Sequence, residues 1–308
     1  MGTTHQSSTR RAEFLFLINP DSGTTSLSEK KSLVRQVSRH SNARIEVSDS
    51  ADHASRLARE AMLSGTIVVA CGGDGFHNIV SQQAVETGGT MSVLPIGRGN
   101  DFAASLGIRT AQDTESAIRN GMIHHARYLT VQFSDYSRIS LTCAGVGLLS
   151  EAGYRASRLP FFQGRLLYSV AALISFLRLK CHRYTLSLDD HDLSKRLLMF
   201  IGAASEYTGG GICIAPDARA HPDKLNFLYA TRVGRVAAVR LLSMALSGKH
   251  LTHPKVVSSY HDRCRIDCES DSFWGSLVYG DGEHLGVLPA SIQIGTEPLR
   301  VLIPAKPG

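Results

Sequence analysis

The stretch Thr66-Ile-Val-Val-Ala-Cys71-Gly72-Gly73-Asp74-Gly75 decides the fold: an apolar run is followed at once by three glycines and an aspartate. The run is typical of a buried strand, and a helical pattern follows. Glycines let the backbone approach a ligand closely, and free amides at a helix start attract phosphate oxygens. An aspartate beside a phosphate is favourable when Mg²⁺ lies between them. The stretch predicts a phosphate-binding loop, with a tight strand-to-helix turn capped by Asp74 as the alternative.

Two further loops of the same kind follow predicted strands. Asn19 to Gly23 follows the apolar run Glu13–Ile18, and Pro95 to Asp101 follows the run Met91 to Leu94. Loops at the carboxyl ends of parallel strands converge on one crevice of an open α/β sheet, so three of them together predict a nucleotide site. Neither the P-loop pattern nor the GxGxxG fingerprint is present, which disfavours a P-loop enzyme and a dehydrogenase.

The hydrophobic pattern divides the chain in two. In the first part, short apolar runs alternate with amphipathic ones, including a helix that we expect Asp52 to cap, and this alternation is typical of βα units around a parallel sheet. In the second part, many short β-type runs indicate a sandwich-like domain with one helical insert near 161–180. The predicted units are an α/β domain over 1–128 and an all-β domain over 129–295.

Composition narrows the class of protein. The chain has 308 residues, of which 43% are hydrophobic and 19% charged, so it can bury two cores and is neither disordered nor collagen-like. The net charge of +6 favours anionic partners such as phosphates, nucleotides or acidic lipids, and does not by itself indicate nucleic acid. The six cysteines lack disulfide or zinc spacing, and no apolar run reaches the roughly 20 residues of a membrane span. We therefore expect free thiols and a cytoplasmic protein.

Five motifs, in their order along the chain, resemble the diacylglycerol kinase catalytic-domain family, whose bacterial members include lipid kinases and ceramide kinases. The resemblance covers nearly the whole chain. The motifs are Asn19-Pro20 with Ser22-Gly23; Gly72-Gly73-Asp74-Gly75 with Asn78; Leu94-Pro95-Ile96-Gly97 followed by Asn100-Asp101-Phe102-Ala103; Gly209-Gly210-Gly211 leading to Ala215-Pro216-Asp217-Ala218; and Gly280-Asp281-Gly282-Glu283.

The resemblance implies an amino-terminal domain like those of phosphofructokinase and NAD kinase, a carboxy-terminal β-sandwich, and ATP with Mg²⁺ between them. It also allows the tail 296–308, with its strand Leu299–Ile303, to return to the first domain. Glu283 would accept the proton of a lipid hydroxyl, which is a poor nucleophile until that proton is removed, while Asp74 and Asp101 orient Mg²⁺ and substrate. Without the resemblance, Glu283 would be a solvated carboxylate in a turn. The residues expected to bind the nucleotide are Asn19, Pro20, Asp21, Ser22, Gly23, Ser48, Gly72, Gly73, Asp74, Gly75, Phe76, Asn78, Gly97, Arg98 and Asn100.

Several positions depart from the family's pattern. Phe76 and Arg98 stand where the family usually has threonines. Arg98 could hold a phosphate by a charge-assisted hydrogen bond, whereas Phe76 can only pack or stack. The loop Arg219 to Lys224 replaces two adjacent aspartates and a glycine, so we expect no secondary Mg²⁺ site there. The positions where an acidic residue is common in the family are here Ile79, Thr130 and Leu149.

The function expected from these residues is an ATP- and Mg²⁺-dependent lipid kinase that phosphorylates diacylglycerol or a ceramide or sphingoid alcohol. Two alternatives are a family member that binds nucleotide or lipid without turnover, and a kinase of a soluble alcohol, as NAD kinases are. The basic, aromatic-bearing stretch from Arg155 to Lys180 could lie in the interface of an acidic membrane, or could be an ordinary helix on the sandwich. We therefore expect a membrane lipid as substrate, peripheral contact with an acidic membrane and no nucleic acid, and a homodimer is compatible with the sequence.

Overall fold

The computed structural model describes residues 12–156, 180–189, 191–269 and 273–305. The helices are α1 (Leu27–Ser38), α2 (Ala51–Leu63), α3 (Asp74–Thr87), α4 (Asp101–Ser105), α5 (Ala111–Asn120), α6 (Leu148–Ala156), α7 (Arg235–Ala245) and α8 (Phe273–Ser276), with a 3-10 turn at Lys249–Thr252. The strands are β1 (Glu13–Ile18), β2 (Asn42–Val47), β3 (Ile67–Gly72), β4 (Thr90–Pro95), β5 (Met122–Ala126), β6 (Leu129–Gln132), β7 (Ser137–Ser140), β8 (Cys143–Gly147), β9 (His182–Leu188), β10 (His191–Ala203), β11 (Tyr207–Thr208), β12 (Ile212–Cys213), β13 (Leu225–Thr231), β14 (Val256–His261), β15 (Arg263–Cys268), β16 (Leu277–Gly280), β17 (Glu283–Val287), β18 (Ala290–Ile294) and β19 (Leu299–Ile303).

The first sheet has the strand order β2-β1-β3-β4-β19-β5, and its four amino-terminal strands are parallel. β19 adds to it parallel to β4, and β5 closes the edge antiparallel to β19. β1 and β3 are buried along nearly their whole length, because helices cover both faces of the sheet. α2 and α3 cover one face, where Ala58 and Val80 are fully buried, and α1 and α5 cover the other with Val34 and Ala117. This is the α/β layer that the sequence predicts.

Side-chain caps determine where these helices begin. α1 follows Ser26, whose hydroxyl accepts the Glu29 N–H while the Glu29 carboxylate accepts the Ser26 N–H. α2 follows Ser50, whose side chain accepts the N–H of His53. The prediction that Asp52 caps this helix is therefore wrong: Asp52 lies in the first turn, where the helix dipole still favours a carboxylate.

The second sheet contains eleven strands and encloses the core of the second domain. Its main order is β17-β16-β8-β10-β9-β15-β18-β6-β7, and β13 and β14 branch from β10. The two ends of this strand order meet, so the sheet curves back on itself. The Tyr136 hydroxyl next to β7 donates to the Leu285 carbonyl of β17, and Phe133 packs against Gly286. Side chains from distant strands thus share one buried cluster. The closure agrees with the sandwich-like domain expected from the sequence.

Some smaller predictions also have an outcome. The short helix α8 directly precedes β16, and the carbonyl of its Gly275 accepts a hydrogen bond from the Tyr184 hydroxyl. All six cysteines are free thiols. Within the described ranges no helix has the length and apolar character needed to cross a membrane. The helical insert expected near 161–180 lies outside the described residues.

Candidate functional site

Three loops meet at the carboxyl edge of the first sheet. β1, β3 and β4 are neighbours in parallel register, with Ile18 opposite Cys71, so the loops that follow these strands lie side by side. The second and third loops touch through glycine backbones, since a Cβ on Gly97 would collide with Gly73. The first loop approaches the third at Gly23, which has a φ of 65°. The structure therefore brings the predicted nucleotide residues of all three loops together.

Lys30, which sequence reasoning missed, supports the first loop from beneath. Its side chain lies in α1 and is only 2% exposed, and its ammonium donates to the Pro20 carbonyl at 2.6 Å. The loop is folded further by Asn19, whose Oδ1 accepts the Asp21 N–H at 3.0 Å. Burial lowers the pKa of Lys30, and the charge of Asp21 opposes that change. A signal was present in the sequence, because Lys30 shares a helix face with the buried Val34.

Asp74 and Asp101 form a buried carboxylate pair between the second and third loops. Asp74 Oδ1 accepts the N–H of Phe102 at 3.0 Å, and Asp101 Oδ2 accepts the N–H of Gly210 at 2.7 Å. A Cβ on Gly99 would lie 2.7 Å from Asp74 Oδ2 and 3.7 Å from Asp101 Oδ2, so the two carboxylates flank that glycine. Burial and the nearby charge of Asp74 raise the pKa of Asp101 to about 7, and burial also raises the pKa of Asp74. Two crowded carboxylates of this kind favour a bound cation.

Asn100 shapes the third loop, and Arg98 projects from it. Asn100 has a φ of 59°; its Oδ1 accepts the Gly97 N–H at 2.9 Å and its amide donates to the Gly97 carbonyl at 3.0 Å. The Arg98 side chain is exposed and has no hydrogen bond or ion pair to any other described residue. Its guanidinium is therefore available to an anion at this edge.

A turn from the second domain faces the loops. Asp281-Gly282 joins β16 to β17 with φ values of 52° and 81°, the geometry of a two-residue hairpin turn. The Asp281 carboxylate is buried and accepts hydrogen bonds from the Leu141 N–H, from both the N–H and the hydroxyl of Thr142, and from the Asn78 amide. Asn78 also donates to the Ile139 carbonyl at 3.0 Å. Asn78 therefore uses its amide to connect α3 to the second domain, and its contact with a nucleotide stays a prediction.

Glu283 directly follows this turn. Its Oε1 lies against Gly75 at the start of α3, where a Cβ would collide with it. Burial of the carboxyl and the charge of Asp281 raise the pKa of Glu283, while Arg138 opposes that change. The residue as a whole still has an exposed surface, so its carboxyl can meet a ligand. A carboxylate with a raised pKa beside a phosphate-binding loop is suited to accepting a proton from a hydroxyl.

Phe76 and Ser48, two of the residues expected to bind the nucleotide, have buried side chains. Phe76 is 5% exposed, packs on Gly72 and belongs to the first domain's core, so of the two roles open to its side chain it packs, and a contact between this residue and a nucleotide stays a prediction. It packs because α3 turns this position toward the sheet. Ser48 is also buried, and its hydroxyl donates to the Ile18 carbonyl at 3.2 Å, which ties the ends of β1 and β2 together.

The loop that begins at Arg219 carries a cation of its own. The Arg219 guanidinium donates to the Ser105 carbonyl at the end of α4 at 3.3 Å and lies 3.4 Å from the Glu206 carboxylate. It therefore links the second domain to the helix that carries Asp101. Across the described ranges, no three His, Cys, Asp or Glu side chains are grouped so as to hold a metal ion.

An apolar cavity of about 130 Å³ lies inside the second domain and ends at the same turn. Its walls include Leu149 of α6 and Leu241 of α7, together with side chains from β8, β10 and β13. Asp281 and Gly282 form one end. A cavity of this order, lined mainly by apolar side chains, takes up apolar molecules. The cavity therefore reaches the turn that directly precedes Glu283.

Comparison with known proteins covers both domains. The family model described as diacylglycerol kinase catalytic domain matches residues 13–131, and the model described as YegS C-terminal NAD kinase beta sandwich-like domain matches residues 142–303. The diacylglycerol kinase of Bacillus subtilis (strain 168) is 26% identical over 96% of this chain and 97% of its own. The diacylglycerol kinase of Mycobacterium tuberculosis (strain ATCC 25618 / H37Rv) is 28% identical over 84% of each chain.

Solved structures share the fold. A diacylglycerol kinase from Bacillus anthracis str. Sterne matches with a TM-score of 0.71 at 15% identity and covers 96% of this chain and 98% of that one. An NAD kinase from Archaeoglobus fulgidus in complex with ATP matches with a TM-score of 0.51 at 13% identity, over 95% and 94% of the chains. The fold and the site thus define a phosphotransferase with an alcohol group as acceptor. More narrowly, the chain belongs to the diacylglycerol kinase catalytic-domain family.

Proposed function

We propose that the protein is an ATP- and Mg²⁺-dependent kinase that phosphorylates the hydroxyl of diacylglycerol. The observation that carries the proposal is the apolar cavity that ends at the Asp281-Gly282 turn, next to Glu283. An acyl chain in this cavity would leave the polar end of the lipid at the turn. There the hydroxyl would meet the Glu283 carboxylate. This carboxylate lies against Gly75 of the phosphate-binding loop, at the start of α3.

The three loops support a nucleoside triphosphate as donor. They bring the glycine-rich backbone and the unpaired guanidinium of Arg98 to one edge of a parallel sheet, where phosphate oxygens bind favourably. The NAD kinase that shares this fold was solved in complex with ATP, which supports ATP in particular. The nucleotide contacts proposed here are those of the loop backbones and of Arg98, with Lys30 holding the first loop in place.

Mg²⁺ would be held by Asp74 and Asp101 together with phosphate oxygens. Both carboxylates already accept backbone N–H groups, and the described residues provide no third acidic, histidine or cysteine ligand, so the pair fits as part of a coordination shell. Mg²⁺ usually takes one or two carboxylates plus substrate phosphates and water, which agrees with this donor set. When bound, it would neutralise charge that develops on the transferred phosphoryl group.

In the proposed reaction, Glu283 takes the proton of the lipid hydroxyl. The hydroxyl oxygen forms a bond to the γ-phosphorus of ATP, and the bond between that phosphorus and the β,γ-bridging oxygen breaks. The electron pair of the broken bond stays on ADP, and the lipid becomes a phosphate monoester. Gly75 allows this step, because any larger residue there would displace the Glu283 carboxyl.

A lipid acceptor is favoured over a soluble alcohol by the lining of the cavity. Most of the lining is aliphatic, as at Leu149 and Leu241, and its polar side chains are few, which suits an acyl chain better than a sugar or nucleoside. The relatives named diacylglycerol kinase support that lipid in particular. Ceramide and sphingoid alcohols share the same chemistry and are therefore included in the test. A lipid acceptor also requires peripheral contact with a membrane from the cytoplasmic side, which the net charge of +6 favours for acidic lipids.

The test is transfer of label from γ-labelled ATP, with Mg²⁺, to lipids in mixed micelles. Diacylglycerol, ceramide, a sphingoid base and a soluble alcohol are offered separately to the purified protein. Label in phosphatidic acid is expected. Label in ceramide phosphate or in the soluble product would replace the proposed acceptor, and ATP binding without transfer to any of them would show a non-catalytic protein.

The matched variants are Glu283→Gln and Glu60→Gln. Glu60 is exposed on α2, away from the site, so its variant controls for the loss of one carboxylate. Transfer should fall at least about 100-fold for Glu283→Gln, in line with the contribution of a general base, and remain unchanged for Glu60→Gln. Equal activity of the two variants would refute the role of Glu283.

A further inference from the structure

We propose that the outward face of α7 is the surface on which this protein docks to a bilayer that carries anionic lipids. The inference rests on the proposed function, because it names the surface through which a membrane lipid would reach the cavity. α7 has two faces: Leu241 and Ala245 line the cavity, whereas Val236 and Val239 point away from it and are 86% and 46% exposed. The helix therefore separates the lipid cavity from a second apolar surface.

Exposed valines alone would carry little weight, because single exposed apolar residues are common on soluble proteins. Here Val236, Val239 and Arg240 are spaced at i, i+3 and i+4 along α7, so they share one face of the helix. An apolar stripe with arginines beside it is the pattern of a helix that lies in a membrane interface. Its position on the outer wall of the apolar cavity is a second, independent observation.

Charge in the segment that contains α7 has one sign. The chain has 27 acidic residues, yet none lies in 224–261. This stretch contains six lysines and arginines. The absence of carboxylates from it makes the α7 surface attractive to anionic lipid head groups, at about 1 kcal/mol for each basic residue near the surface.

Basic side chains of β10 and of the loop before α7 border the same region. Burial raises the pKa of the Cys181 thiol, and the charges of Arg232 and Arg196 oppose that change, which places both arginines near Cys181. The ammonium of Lys195 lies 5.5 Å from the centre of the Tyr229 ring, and Tyr229 lines the cavity. Positive charge thus extends from α7 to the strands that enclose the cavity.

The occupant is a bilayer and not a second copy of this chain. Two copies joined through α7 would bring Arg232 and Arg240 of each close to those of the other, with no acidic residue in 224–261 to pair with them. An anionic bilayer supplies the complementary charge and also covers Val236 and Val239. A protein partner with an acidic groove is an outcome that the test below distinguishes.

The experiment measures binding of the full chain to vesicles of phosphatidylcholine with and without phosphatidylglycerol. The variant carries Val236→Glu and Val239→Glu, and the control carries Leu63→Glu on α2, where an equally apolar residue is 66% exposed. Neither altered valine lines the cavity, both are exposed, and glutamate at 236 in the first turn of α7 suits the helix dipole, so we expect the variant to fold. Thermal unfolding of each protein is measured to check that the variant and the control are folded.

The native chain and the Leu63→Glu control should bind the anionic vesicles, and the double variant should bind them at least about tenfold more weakly. Phosphorylation of long-chain diacylglycerol in vesicles should fall with binding, while phosphorylation of a dispersed short-chain diacylglycerol should be retained. Equal vesicle binding of variant and native chain, no vesicle binding by the native chain, or a dimer that the two substitutions dissociate would each overturn the inference.

The same assays separate this inference from the proposed function. If the native chain binds anionic vesicles through α7 but phosphorylates no lipid, the proposed function fails and the docking surface stands. If the native chain phosphorylates diacylglycerol but the double variant is indistinguishable from it on vesicles, the docking surface fails and the proposed function stands.

Discussion

Replacement of Asp101 by asparagine should stabilise the fold at neutral pH while it stops phosphoryl transfer. The Asp101 carboxyl is buried beside Asp74, and these surroundings raise its pKa to about 7 from an ordinary value of 3.8. The folded protein therefore holds a proton on Asp101 more tightly than the unfolded chain does. Between these two pH values the native protein loses stability as the pH rises, because ionisation is easier in the unfolded state.

The magnitude follows from the shift. A change of about 3 pKa units corresponds to about 4 kcal/mol at 1.36 kcal/mol for each unit, which is an upper bound because Asp74 shares the proton. Asparagine carries no charge, and its side-chain oxygen can still accept the Gly210 N–H. We expect Asp101→Asn to be about 1 to 4 kcal/mol more stable than the native chain above pH 7, with no gain below pH 4.

The assay is urea unfolding of both proteins, without nucleotide, at several pH values from 4 to 8. Asp113→Asn is the control, for which we expect an effect of the opposite sign. Burial raises the pKa of Asp113, but hydrogen bonds from Arg109 and Thr110 outweigh burial and hold this pKa below its ordinary value. That variant should be destabilised at neutral pH, and its deficit should shrink as the pH falls. A difference between Asp101→Asn and the native chain that does not change with pH would refute the reasoning.

The remaining predictions concern the base, the loops and the cavity. As the pH is lowered, the transfer rate should begin to fall at a higher pH than it would with an ordinary glutamate, because the pKa of Glu283 is raised. This acidic limb of the pH–rate profile should be absent from Glu283→Gln. Gly97→Ala should cost about 1 to 3 kcal/mol in urea unfolding, because its Cβ would collide with Gly73, whereas Gly234→Ala, which meets open space, should cost less than about 0.5 kcal/mol. Ala245→Phe should raise KM for long-chain diacylglycerol about tenfold and change KM for a short-chain analogue little, since Ala245 lines the cavity; an equal effect on both would contradict this reading.

Local chemistry made much of the first domain predictable. The strand Glu13–Ile18 and the return strand Leu299–Ile303 have the bounds that their apolar runs indicate. The glycine-bearing loops were recognisable because backbone approach and turn geometry depend on residues adjacent in sequence. Where a local signal was ambiguous, the prediction failed by a small step, as with Ser50 taking the capping role expected of Asp52.

The site depended on contacts that no local pattern contains. Phe76 was assigned to the nucleotide because it lies in the motif, but the packing of α3 on the sheet buries it. Asn78 was assigned likewise, yet it bonds to Asp281, which belongs to the other domain. Lys30 was missed because its burial depends on where α1 meets the first loop.

The sequence by itself determined the alternation of strands and helices, the three glycine-bearing loops and the family, because these depend on periodicity and on residues a few positions apart. Only the tertiary structure decided that Glu283 lies against Gly75, that Asp74 and Asp101 share one buried site, and that the apolar cavity ends at the turn before Glu283. The physical reason is that burial, charge proximity and cavity shape arise from packing between residues that the chain brings together from distant positions.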